Sequence, residues 1–166
     1  MCKIPEKEEM QRVLWERHGK ETQDKFDAAT VAICGLGGLG SNIAVSLARA
    51  GVGRLILIDF DQVDIFNLHR QQYKATQVGI NKTEALAANL KEIAPYIAVS
   101  THTERITEEN FYDLLCEADV ICEAFDNAEA KAMLVNGVLE RLPRNIWSLH
   151  QVWPDLARQM PSEPAD

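Results

Sequence analysis

The sequence predicts an α/β protein in which helices cover both faces of a mainly parallel sheet. Short apolar runs rich in β-branched residues alternate along the chain with longer segments whose apolar residues recur at helical spacing. A glycine-rich turn joins the first of these runs to the helix behind it. Strands that alternate with helices form a parallel sheet, because each helix carries the chain back across a face of the sheet.

The chain opens with two helical segments. Residues 6–18 place Met10, Val13 and Leu14 on one face and end at Gly19, and a second polar helix continues to about residue 29. The predicted strands after them are residues 30–34, 54–59, 97–102 and 119–124. The predicted helices between and after these strands are residues 41–50, 82–93, 107–116 and 128–142, and residues 61–77 are irregular. This order predicts a Rossmann-like α/β/α sandwich.

Three segments are expected along the chain: an N-terminal helical segment (1–29), a Rossmann-like domain (30–143) and an atypical tail (144–166). The tail holds three of the six prolines and no glycine. A fifth strand is due there, and residues 145–152 match one poorly. The sheet is therefore expected to be incomplete at its C-terminal side.

Charge and composition limit the partners. Seventeen basic residues against 25 acidic ones give a net charge of −8, which argues against non-specific binding to nucleic acid or to an anionic membrane. No apolar run is long enough to span a bilayer and no leader opens the chain, so a cytoplasmic location is expected. The four cysteines form no C-x-x-C pair, so no zinc site is expected. Cys34 and Cys122 are expected to be buried in strands.

The glycine turn carries the strongest functional signal. Gly35, Gly37 and Gly40 form G-x-G-x-x-G between a predicted strand and a predicted helix, with Gly38 as a fourth glycine. Without a Cβ the backbone can approach a phosphate, and the helix start offers N–H groups to it. Asp59, nineteen residues after Gly40, stands where a ribose-binding carboxylate belongs. A close crossing of helix and strand without a ligand, and an NAD-dependent dehydrogenase, are the alternatives.

Further polar residues distinguish these alternatives. Asn67, Arg70 and Lys82 follow the second predicted strand, and Asp126 follows the fourth. Phosphate donors, two cations and a spare carboxylate at the carboxyl edge of the sheet suit phosphoryl or nucleotidyl transfer better than hydride transfer.

Read together, these motifs resemble the ThiF/MoeB/HesA family of E1-like adenylyltransferases, which activate ubiquitin-like sulfur-carrier proteins. The resemblance covers about residues 8–143. It is carried by these residues: 35–41, 59–61, 67–71, Lys82 and 126–127. Residues 123–127 and the lack of C-x-x-C look most like the thiamine-biosynthesis ThiF branch.

The resemblance implies ATP and Mg²⁺ as cofactors and a role for each matching residue. Asp59 would hold the ribose hydroxyls, with Asp61 beside it. Asn67, Arg70 and Lys82 would contact the phosphates, and Asp126 would serve Mg²⁺ and the α-phosphate. The implied partners are a small ubiquitin-like sulfur carrier and a second copy of the chain, with Arg17 as a candidate for a trans-acting arginine.

Structural alternatives remain open for four of these residues. Arg70 could pair with nearby Asp61 or Asp64, and Lys82 could be an ordinary exposed helix residue. Asp126 could cap the helix that starts at Ala128, and Arg17 could simply be a favourable charge at the C-terminal end of its helix. For the whole chain the alternatives are adenylylation of a tRNA-linked carboxylate, and an inactive remnant that binds nucleotide or carrier.

The tail suggests a frameshift. If codon 144 ends in A, reading from that base through one allowed set of codons for residues 145–155 gives Lys-Tyr-Met-Val-Ala-Ala-Ser-Gly-Met-Ala-Gly. This string resembles the strand that follows at this point in the family. We therefore hypothesise that the sequence from about residue 145 onward is frameshifted. The nucleotide sequence across codons 143–147 tests this, because a clean gene with no extension in the neighbouring frame would refute it.

Overall fold

The structure, a computed structural model, describes residues 4–142 and the backbone of residues 147–148. Its parallel sheet has the order β3-β2-β1-β4-β5, which confirms the Rossmann-like α/β class. The strands are as follows: β1 (Thr30–Cys34), β2 (Arg54–Ile58), β3 (Ala98–His102), β4 (Val120–Glu123) and β5 (Trp147–Ser148). The chain builds outward from β1 to β3 and then returns to the other side of β1, so the strand order reverses between β1 and β4. Ligands of such sheets bind beside this point, at the carboxyl ends of the strands.

Alternate residues of the central strands feed two separate apolar cores. Ile33 and Leu57 point into one core, and Ala32 and Ile56 into the other. The first core is covered by α3 (Gly38–Ala50) and α4 (Lys82–Ile93), and the second by α5 (Phe111–Leu115) and α6 (Ala128–Arg141). Helices on both faces make the expected α/β/α sandwich and leave the strand ends free to form a site.

The two N-terminal helices, α1 (Lys7–His18) and α2 (Lys20–Ala28), pack at the amino ends of the strands. The N–H of Gly53, just before β2, donates to the carbonyl of Phe26 at 3.0 Å. Arg17, in the last turn of α1, therefore belongs to an element at the edge of the sheet opposite to the glycine turn.

Among residues 4–142, no helix is both long and apolar enough to cross a membrane.

Two predicted helix starts are wrong. The predicted helix 41–50 begins at Gly38, because the glycines join its first turn and Gly37 takes the N-cap position. The predicted helix 107–116 is confined to Phe111–Leu115. Asn110 Oδ1 accepts the N–H of Thr107 at 2.7 Å, so this segment forms a side-chain-stabilised turn before the helix begins.

A short fifth strand is present at the C-terminal side of the sheet. The backbone of β5 pairs in parallel with β4, with Trp147 opposite Val120 and Ser148 opposite Ile121. Among the described residues, no further strand pairs with the free edge of β5. The remainder of the predicted tail and its proposed frameshift lie outside the described residues.

Candidate functional site

The glycine turn lies at the carboxyl end of β1, where two of its glycines are required by close backbone contacts. Gly35 has φ +94° and donates its N–H to the carbonyl of Ile58 at 2.9 Å. A Cβ at Gly35 would lie 3.0 Å from the carbonyl oxygen of Ala124, and one at Gly40 would overlap the carbonyl oxygen of Gly35. The glycine at position 40 is thus explained by the close crossing of helix and strand that was one of the alternatives for this motif. Gly37 and Gly38 lie at the start of α3 and meet no such backbone obstacle.

Asp59 holds this turn in shape from the end of β2. Its carboxylate is 8% exposed and accepts the backbone N–H of Leu36 at 2.6 Å and that of Asp61 at 2.8 Å. The same carboxylate that the sequence assigns to a ribose therefore joins the glycine turn to the loop after β2. A carboxylate keeps further acceptor positions for ligand hydroxyls after two such bonds.

Lys82 is buried beside this carboxylate, at the first position of α4. It is 5% exposed, and its Nζ lies 2.8 Å from Asp61 Oδ2 and 4.0 Å from Asp59 Oδ2. The alternative that Lys82 is an ordinary exposed helix residue is wrong. The side chain of Asp61 is half exposed. One cation thus lies between two carboxylates, one buried and one open to solvent.

Tyr73 completes the support of the turn and was not predicted from the sequence. Its hydroxyl donates to the carbonyl of Leu36 at 2.7 Å. Burial, followed by the negative charges of Asp59 and Asp61, raises the pKa of Tyr73 far above its ordinary value. The hydroxyl therefore stays protonated and remains a donor. Nothing in the local pattern around Tyr73 indicates this contact, because its partner is 37 residues away in the chain.

Arg70 lies over the start of α3. A Cβ on Gly38 would be 3.3 Å from Arg70 Nε, and the backbone carbonyl of Arg70 accepts Asn42 Nδ2 of α3 at 3.1 Å. Its guanidinium forms no ion pair within residues 4–142, so the predicted alternative of a salt bridge to Asp61 or Asp64 is not observed there. Its Nη1 lies 3.5 Å from His69 Nε2. An exposed guanidinium beside a helix N-terminus, without an ion pair among these residues, is placed to receive an anion.

Asn67 shapes the turn that carries Arg70. Its backbone carbonyl accepts the N–H of Arg70 at 3.3 Å and that of Gln71 at 3.2 Å. Its half-buried side chain makes no hydrogen bond with other residues of the described part of the chain. The amide is therefore free of internal hydrogen bonds there, and its predicted contact with phosphate stays a prediction.

Asp126 follows β4 and is exposed. The alternative that it caps α6 is wrong, because the cap is Asn127, whose Oδ1 accepts the N–H groups of Glu129 at 2.8 Å and Ala130 at 3.0 Å. The carboxylate of Asp126 makes no hydrogen bond or ion pair within residues 4–142. Gly35 packs against the backbone of Ala124, so Asp126 follows closely after a segment that borders the glycine turn.

This combination of a glycine turn, a buried acidic residue at the end of β2 and cations at the carboxyl edge is that of a nucleotide-binding α/β domain. The model of the ThiF family matches residues 10–147, and the chain belongs to that family.

Relatives within the family agree with this assignment. The Adenylyltransferase and sulfurtransferase MOCS3 of Anopheles gambiae is 37% identical over 127 residues, which are 75% of this chain and 29% of that protein. The structure of Escherichia coli tRNA N6-threonylcarbamoyladenosine dehydratase, TcdA, in complex with ATP is similar with a TM-score of 0.78 and 25% identity, over 88% of this chain and 61% of that one. E. coli MccB with ATP has a TM-score of 0.66 and 32% identity, over 78% and 40%. The chain thus spans under a third of the length of the curated relative.

Proposed function

We propose that this chain forms the ATP-binding part of an enzyme that adenylylates the C-terminal carboxylate of a small ubiquitin-like sulfur carrier. A relative named as both an adenylyltransferase and a sulfurtransferase supports a sulfur carrier as substrate. Thiamine synthesis is the pathway that we favour, because residues 123–127 and the lack of C-x-x-C resemble the ThiF branch.

The observation that carries the proposal is the buried Lys82 between Asp59 and Asp61, with Arg70 across the glycine turn. In adenylylation a carboxylate oxygen attacks the α-phosphorus of ATP. A bond forms between that oxygen and the α-phosphorus, and the bond to the β-phosphate oxygen breaks. The electron pair leaves with pyrophosphate. Two anions must therefore meet, which requires positive charge held in place beforehand.

Each of the side chains at this site would have a separate role in the reaction. Asp59 would bind the ribose hydroxyls, and Asn67, Arg70 and Lys82 would hold the phosphates in line for attack. Asp126 fits a site for Mg²⁺, because this ion commonly binds one or two carboxylates together with substrate phosphates, and this carboxylate has no partner within residues 4–142. Bound Mg²⁺ would neutralise charge on the phosphates.

Carrier-dependent exchange of radioactive pyrophosphate into ATP tests the proposal. We expect Arg70→Ala and Asp126→Ala each to lower the exchange rate by about 10²–10³, the scale seen when one preorganised contact that stabilises a transition state is removed. Lys91→Ala is the matched control, since Lys91 is exposed on α4 and should leave the rate unchanged. Exchange that persists in both site variants would contradict the assignment of these residues.

A second candidate activity is adenylylation of a carboxylate linked to tRNA. It is favoured by the similarity to TcdA, although the net charge of −8 opposes binding to nucleic acid. Exchange that depends on tRNA and not on a carrier would select it. ATP binding without any exchange would instead indicate a remnant that binds nucleotide.

A homodimer is a further part of the proposal. α1 packs at the far edge of the sheet, so Arg17 would reach a nucleotide site only on a second copy of the chain. Light scattering on the purified protein tests the dimer. If Arg17 acts in trans, mixing Arg17→Ala with Arg70→Ala should restore part of the exchange, because a mixed dimer has one site with neither substitution.

A further inference from the structure

Gln71 has an unusual environment for a buried polar side chain. It is 7% exposed, and its Oε1 is enclosed without a hydrogen-bond partner. Its Nε2 also makes no hydrogen bond within residues 4–142. Buried amides normally satisfy both ends, because leaving one unpaired destabilises the folded state.

The other buried amides of the described residues follow that rule. Gln77 donates from Nε2 to the carbonyl of Ala85 at 3.0 Å and to Asn89 Oδ1 at 2.9 Å, and its Oε1 accepts the N–H of Lys74 at 2.9 Å. Gln23 likewise donates from Nε2 to the carbonyl of Gly51 at 3.0 Å and to Asp27 Oδ1 at 3.1 Å, and its Oε1 lies 2.8 Å from His18 Nδ1. The unpaired amide of Gln71 therefore sets this residue apart.

The position of Gln71 points to a ligand. It follows Arg70 in the turn after β2, and its Nε2 would lie 4.0 Å from a Cβ built on Gly37. Arg70 lies against Gly38 in the same way. Two consecutive side chains thus border the two consecutive glycines at the start of α3. Because Gly37 has no side chain, nothing from that residue covers the amide.

We propose that the amide of Gln71 binds the phosphate chain of the nucleotide. This inference rests on the proposed function, since it assigns a further binding residue to the same site. Rotation of the terminal amide exchanges Nε2 and Oε1, so Gln71 can direct N–H donors at an anion. The bond to phosphate breaks no internal hydrogen bond, because the amide has none to lose. Binding therefore gains a charge-assisted hydrogen bond with little reorganisation.

Gln71→Met separates a binding role from a structural one. Methionine has a similar length and lacks the unpaired polar atoms, so the melting temperature should be unchanged or higher. The Kd for ATP, measured by calorimetry, should rise about tenfold or more, the scale of one hydrogen bond to a charged group. The Kd for adenosine should not change. Gln77→Met is the matched control, because it removes a fully bonded amide and should lower the melting temperature while leaving the Kd for ATP unchanged.

The outcomes are distinguishable. If the unmodified protein binds ATP and Gln71→Met binds it equally well, this inference is wrong and the proposed function stands. If the unmodified protein does not bind ATP, both are wrong. An equal loss for ATP and adenosine would assign Gln71 to the nucleoside and overturn the phosphate assignment. Should the variant not fold, NMR of the side-chain amide of Gln71 in the unmodified protein decides: ATP, but not adenosine, must shift its resonances.

Discussion

Replacing Lys82 with methionine should destabilise the fold as well as abolish activity. The ammonium group lies 2.8 Å from Asp61 Oδ2 and 4.0 Å from the buried carboxylate of Asp59. Its removal leaves two negative charges next to each other, one of them almost without solvent. Breaking a buried ion pair in this way costs about 3–5 kcal/mol.

The lower end of that range applies here. Asp59 keeps its two backbone N–H donors, and Asp61 is half exposed and can be hydrated. We therefore expect Lys82→Met to lower the free energy of unfolding by about 3 kcal/mol. For a chain of this length the melting temperature should fall by about 6–12 °C.

Thermal unfolding followed by circular dichroism measures this shift. Lys91→Met on the exposed face of the same helix is the control and should change stability by less than about 0.5 kcal/mol. Adding Asp61→Asn to Lys82→Met should recover part of the loss, because it removes one of the two uncompensated charges. A melting temperature equal to that of the unmodified protein, or a second substitution without any recovery, would refute the electrostatic explanation.

Two further predictions concern packing and pH. Gly40→Ala should prevent folding or lower the melting temperature strongly, because the new Cβ would overlap the carbonyl oxygen of Gly35; unchanged thermal unfolding would contradict this. Burial raises the pKa of the Cys122 thiol to about 11 in the folded protein. In the unfolded chain this thiol has an ordinary pKa of about 8.5, so the unfolded chain loses the proton first as the pH rises. The free energy of unfolding, measured in urea, should therefore fall between about pH 8.5 and pH 11. It should fall less steeply with pH in Cys122→Ala. An equal dependence on pH in both proteins would refute the assignment.

Much of the fold could be predicted from local patterns. The strand at residues 30–34 and the helix at 82–93 have the bounds that the sequence predicts, because an apolar run or an apolar face is bounded in each case by residues that end it. The starts of α3 and α5 could not be predicted in the same way. Glycines were expected to stay outside a helix, and the side-chain hydrogen bond from Asn110 that competes with helix formation depends on the exact turn.

Some features of the candidate site could likewise be predicted from local sequence, and others could not. The spacing from Gly40 to Asp59 and the motif containing Asn67 and Arg70 indicate a phosphate-binding edge from the sequence alone. Their roles toward ATP remain predictions. The sequence did not indicate that Asp59 also ties the glycine turn to the loop after β2, because that contact joins residues 23 positions apart.

The sequence by itself determined the order of strands and helices and the family, since both depend on hydrophobic period and on short motifs that are local in the chain. Only the tertiary structure decided the surroundings of each polar side chain. It buried Lys82 between two carboxylates, placed Tyr73 beneath the turn and left Gln71 enclosed without a partner. Burial and hydrogen bonding depend on which distant segments meet at the end of the sheet, and that information exists only after the chain has folded.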